Sequence, residues 1–144
     1  MKRTLPLLVM LTLGASLVAR QSPADAAKTL AAFQGRWVVA TINGKPLAGG
    51  GGEMALTITG DSYAQVVDGK VTERGTLTID TARTPMTIDL TIKEGDDAGK
   101  PQVGLVEVSG DTMTLHLSMP GSATRPPSLA LTPGFVLFTA RKAK

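Results

Sequence analysis

No cysteine occurs among the 144 residues. Disulfides therefore do not hold the fold, thiolate metal sites are out, and so is a lipid anchor built on cysteine. Histidine is nearly missing too, with His116 alone. Three Phe, one Trp and one Tyr make up all the aromatics, so aliphatic and β-branched residues must fill any core. The scarcity extends to chemical motifs. No Gly-x-Ser-x-Gly elbow is present, no oxygen-ligand loop has calcium-binding spacing, and no Gly-Lys-Ser/Thr follows the glycine run Gly49–Gly52. His116 falls with Thr112 and Thr114 on the polar face of its segment, which predicts a surface or rim position. A catalytic histidine needs a partner at a defined position, and none can be named. Asp96-Asp97 reads as a solvated loop. The expectation is a protein that is not an enzyme, with no cofactor, no metal and no catalytic residue.

Charge of one sign is also scarce once the start of the chain is set apart. The whole sequence carries a formal net charge of +3. Lys2 and Arg3 precede a nearly unbroken apolar run, Leu5 to Val18, and then Ser22-Pro23-Ala24 and Ala24-Asp25-Ala26. This is the layout of a secretory signal peptide with a small-x-small cleavage site. The apolar run of about 15 residues is short for a bilayer span of ~20, which disfavours an uncleaved anchor. Residues 1–26 are read as the leader and 27–144 as one domain, exported to the periplasm or beyond, with no stable membrane insertion after cleavage. The remaining domain has 12 Lys+Arg against 11 Asp+Glu, a net of +1. Nucleic-acid binders carry a basic stripe. Only Arg141, Lys142 and Lys144 cluster here, at the chain end, so a nucleic-acid partner is not expected.

What the domain does have is alternation. Asp25 to Phe33 is a short helical lead-in, with Leu30 and Phe33 placed to cap one end of the strand region; Gly35 stops it. Eight segments of period-two character then run to the end: Arg36–Ile42, Met54–Thr59, Ser62–Val67, Val71–Ile79, Met86–Ile92, Gln102–Ser109, Thr112–Ser118 and Phe135–Arg141. Asn43-Gly44, Gly60-Asp61, Asp68-Gly69 and Gly110-Asp111 are turn dipeptides between them. Gly75 inside a segment predicts a bulge or sharp bend. The short connections exclude parallel crossovers. The fold class is therefore all-β: an eight-stranded up-and-down antiparallel barrel with a short N-terminal helix. A barrel of that size holds either packed side chains or one small ligand.

One stretch organises the rest. Phe33 to Leu47 contains the only Trp and the only Asn, and Gly35-Arg36-Trp37 opens the first strand. This resembles the Gly-x-Trp signature of lipocalins and other calycins. The resemblance implies that Trp37 sits at the closed end of the barrel with Gly35 before it and a basic residue of the last strand, here Arg141, packed across it. The chain is more closely similar to a family of small bacterial lipocalin-like domains common in planctomycetes and often exported. Leu30–Leu47, Gly75-Thr76-Leu77, Thr84–Leu90, Gly110–Leu115 and Arg125-Pro126 carry that likeness. The family implies the fold and no established activity. The chain departs from it in the compact span between Met119 and Phe135, and in Gly49–Gly52 where a charged strand entry is expected.

Any site should then lie at the other end. Tyr63 either adds a hydroxyl to the cavity or simply fills it. Arg125, in the Pro-rich Met119–Pro133 segment, either pairs with an acidic group at the mouth, Glu107 being the candidate, or meets an anionic ligand head. Two functions remain open: binding of a small hydrophobic or amphiphilic ligand, which calls for a pocket of ~300 Å³ or more, or a structural or protein-interaction role with a filled barrel. The protein partner in the second case is unknown.

Overall fold

The computed structural model describes residues 22–47 and 52–144. The expected leader, up to residue 21, lies outside the described residues, and so do residues 48–51, which hold three of the four glycines of the run 49–52. The chain forms α1 (Pro23–Ala31), β1 (Gly35–Ile42), β2 (Lys45–Pro46), β3 (Met54–Thr59), β4 (Ser62–Val67), β5 (Lys70–Asp80), β6 (Met86–Glu94), β7 (Pro101–Ser109), β8 (Thr112–Ser118) and β9 (Phe135–Lys142). From β3 to β9 each strand pairs antiparallel with the next, β1 pairs with β3, and β9 returns to β1. The expected eight-stranded up-and-down barrel is what forms. The two-residue β2 is an addition to the end of β1.

Local chemistry fixes the register. In β6, Ile88, Leu90 and Ile92 are buried while Asp89 and Thr91 between them are exposed; such alternation gives one register with one buried face. Asn43 and Gly44 have φ of 52° and 75°, and Asp68 and Gly69 have 51° and 77°. Positive φ at both central residues defines the type I′ turn, whose twist matches the flanking strands. Asn43 also reaches β9: its Oδ1 accepts from Leu137 N at 2.9 Å and its own N–H donates to Leu137 O at 2.7 Å. The register shifts beside Gly75, as a bulge there requires.

One end of the barrel is sealed. Trp37 has no exposed surface and Phe33, just past α1, is 1 % exposed. The indole Nε1 donates to the Phe33 carbonyl at 2.9 Å, so the polar atom of the buried ring is satisfied. Gln34 stitches this lead-in to the β3–β4 turn, accepting from Gly60 N at 2.6 Å and donating to Gly60 O at 3.1 Å. Leu30, expected to cap the barrel with Phe33, does not: it is 40 % exposed, and α1 buries none of its residues.

The basic residue at this floor is Lys142, not Arg141. Lys142 Nζ lies 5.5 Å from the Trp37 ring centroid, within cation–π reach. Alternation explains the correction. Ala140 is buried inside the barrel, so the next inward position is 142. Trp37 stands opposite Lys142 in the ladder, whereas Arg141 stands opposite Val38 and is exposed.

Beyond β8 the Pro-rich segment, residues 119–134, folds back as a strap over the outer face of β6, β7 and β8. Beneath it His116 is wholly buried, not at the surface or rim. Its Nδ1–H donates to Ser128 O at 2.6 Å and its ring meets Phe135 edge-on, centroids 5.7 Å apart. Ser118 is likewise buried, accepting from Val103 N at 3.1 Å and donating to Ser122 O at 3.2 Å. Leu105, across the ladder from His116, is buried here apart from the main core cluster. His116 does face outward, as alternation predicts; the strap covers it.

Candidate functional site: the barrel cavity

Inside the barrel the strands leave a cavity of about 190 Å³. Its walls are mainly apolar, with Leu77, Leu90, Met113, Leu115, Leu117 and Phe138 among them. Neither Trp37 nor Phe33 is a wall residue; both lie below it, in the floor. Among the described residues four polar side chains face the cavity: Tyr63, Gln65, Glu73 and Gln102.

A glycine creates the polar corner. Gly75 pairs with Tyr63 across β4 and β5. A Cβ at Gly75 would fall 2.7 Å from the Tyr63 ring and 2.2 Å from Thr91 O. The missing side chain thus lets the phenol lie flat against the sheet, an aromatic covering a strand glycine. From there the hydroxyl donates to Glu73 Oε1 at 2.8 Å. Glu73 stands opposite Gln65 in the ladder. Burial first, then the hydrogen bond to Glu73 and its charge, push the Tyr63 hydroxyl far above its usual ionisation range. Tyr63 is therefore a neutral donor, and Glu73 its acceptor.

The other expected site residues lie elsewhere. Tyr63 is where the sequence put it, in the cavity. Arg125 is not at the mouth: it belongs to the strap, on the outside of the sheet. One guanidinium nitrogen donates to Ile88 O at 3.1 Å and Gly104 O at 2.7 Å, and the other pairs with Asp89 at 2.7 Å. Asp89, not Glu107, is its acidic partner, because Glu107 is an outward position further along β7. There Glu107 is exposed and borders a separate depression with Thr81, Met86 and Leu129. Neither Arg125 nor Glu107 lines the barrel cavity. The four groups Asp89, Glu107, His116 and Arg125 do not converge on one cleft: two pair with each other, one is exposed and one is buried under the strap.

Glu73, Gln65 and Gln102 are not among the residues the sequence points to. The signal was available: Glu73, Gly75, Leu77 and Ile79 fall on one face of their segment by simple alternation, and Leu77 is an obvious core residue. Among the described residues no group of three or more metal-ligating side chains comes together. Comparison with protein-family models, with curated proteins and with solved structures gave no match.

Proposed function

We propose that this is an exported small-molecule binding domain whose ligand sits inside the barrel. The observation that carries the reading is the cavity of about 190 Å³ beside the Tyr63–Glu73 pair, above a floor that Trp37 closes. Its size narrows the reading considerably. Ligand pockets for drug-sized molecules begin near ~300 Å³, and this cavity does not reach that threshold. A long-chain fatty acid or large dye is dropped as ligand. An apolar cavity of ~150 Å³ holds a benzene ring, so a single ring or short branched chain with one polar head is the scale that fits. Export rests on the leader-like residues 1–26. Cleavage after Ala26 would remove the Ser22 cap and the first turn of α1, a tolerable loss because that helix buries nothing.

The competing reading, a structural or interaction domain with no ligand, is favoured by the same shortfall in volume. Thermal melts separate the two. A bound compact ring compound at 100 times its Kd stabilises by about 2.7 kcal/mol, an upward shift of several degrees for a domain this size. Palmitate should give none. An unchanged Tm with every compact ring compound at millimolar concentration would overturn the proposal in favour of the interaction domain.

A further inference from the structure

We propose that the barrel cavity selects a compact organic cation, an amine carried on a small apolar body, with its ammonium group held against Glu73. This rests on the binding function proposed for the cavity and adds the class of ligand.

The argument is one of charge and of donors against acceptors. Among the described residues that wall the cavity, Glu73 is the only carboxylate and none is Lys, Arg or His. Among the described residues Glu73 takes part in no ion pair; its immediate neighbour Arg74 is paired instead with Glu94. The one hydrogen bond Glu73 accepts comes from Tyr63, and an ionised carboxylate has about four acceptor sites. A partly buried charge without a cation is costly. A structure that keeps one inside an apolar chamber has room for a counter-charge.

The remaining polar groups point the same way. The Tyr63 hydroxyl spends its only hydrogen on Glu73, leaving lone pairs toward the cavity. Gln65, opposite Glu73, ties its amide nitrogen to Thr72 Oγ1 at 3.0 Å, outside the walls. Gln102 ties its amide nitrogen to Ser118 O at 2.8 Å. The head site therefore presents a carboxylate and a phenol oxygen as acceptors, while each glutamine amide has one of its two N–H hydrogens already engaged. An ammonium supplies three donors and the missing charge. A carboxylate head supplies neither and meets Glu73 as a like charge. The Leu, Met and Phe138 walls then take the apolar body, which at about 190 Å³ is limited to one ring or its equivalent.

Benzylamine, benzyl alcohol and benzoate share the ring and differ in the head, so calorimetric titration of the purified protein at neutral pH with each is decisive. Benzylamine should bind about 10-fold or more tighter than benzyl alcohol, the difference a charge-assisted hydrogen bond makes, and benzoate should not bind detectably. Glu73→Gln should bring benzylamine down to about the level of the alcohol. If amine and alcohol bind the wild-type protein equally, or benzoate binds best, the cation inference is wrong while the cavity reading stands. If none of the three binds, both fall. Because the wild-type ranking decides the matter, a Glu73→Gln chain that does not fold leaves the inference no refuge.

Discussion

The two ends of the barrel are built from the same strands and reach opposite results. At the floor, Trp37 and Phe33 fill the space between β1, β3 and the end of β9, and Lys142 covers the indole from outside the core. Above the floor, Gly75 on β5 leaves room for the Tyr63 ring of β4 to lie against the sheet, and the cavity opens beside that ring. One end carries a cation over an aromatic ring; the other carries a carboxylate under an aromatic hydroxyl. The difference teaches that closure and capacity are separate design problems in this barrel. A few large side chains settle the first, and a missing one settles the second.

Breaking the floor should have the largest effect. Trp37→Ala removes the largest fully buried side chain and orphans the Phe33 carbonyl. The expected cost is ~3–5 kcal/mol, much of the total stability of an ordinary domain. Far-UV circular dichroism in urea checks it. Normal stability with lost ligand affinity would move Trp37 from floor to site.

The strap should come next, and it should be independent of the cavity. The Arg125–Asp89 pair is partly exposed, with side chains 33 % and 58 % accessible, so the ion pair itself contributes little. The two bonds to the Ile88 and Gly104 carbonyls are the larger part. Arg125→Met should cost ~1–3 kcal/mol and raise hydrogen exchange in residues 119–134, with ligand affinity unchanged. A parallel loss of affinity would couple the two faces of the sheet.

Tyr63 gives a sharper test, since it is the only tyrosine in the chain. Its hydroxyl is pushed up by burial and by Glu73. Unfolded, it releases its proton near the ordinary ~10; folded, it does not. Folding stability is therefore intact below about pH 10 and declines above it, because the unfolded chain there binds fewer protons than the folded one. Phenolate absorbance should appear only together with unfolding. Tyr63→Phe should remove this alkaline decline and cost about 1 kcal/mol at neutral pH, the lost hydrogen bond being partly replaced by water at half-buried Glu73. Smallest of all, Lys142→Ala should cost ~0.5–1 kcal/mol, the usual worth of an exposed cation–π contact, while Arg141→Ala should change little.

Much of this architecture could be read from the chain. Period-two alternation and the Asn-Gly and Asp-Gly dipeptides are local signals, and they placed every barrel strand to within a few residues at either end. The floor was legible for the same reason, except that the basic partner was set one residue short; alternation from Ala140 leads to Lys142. The strap was not legible. Alternation tells which way His116 points, but not what covers it, and coverage depends on where 16 irregular residues come to rest. Leu105, an outward-facing apolar residue, was the one hint. The cavity was half legible. Tyr63 was placed correctly, but the space around it arises from Gly75 lying across from it, a pairing between strands that the chain alone does not display.

The most direct test of the sealed floor and open chamber is methyl and aromatic NMR of the protein titrated with benzylamine. The account predicts shifts at Leu77, Leu90, Met113, Leu115 and the Tyr63 ring, with the Trp37 indole and the His116 ring unmoved. Shifts centred on Trp37, or on the His116 face beneath the strap, would contradict it.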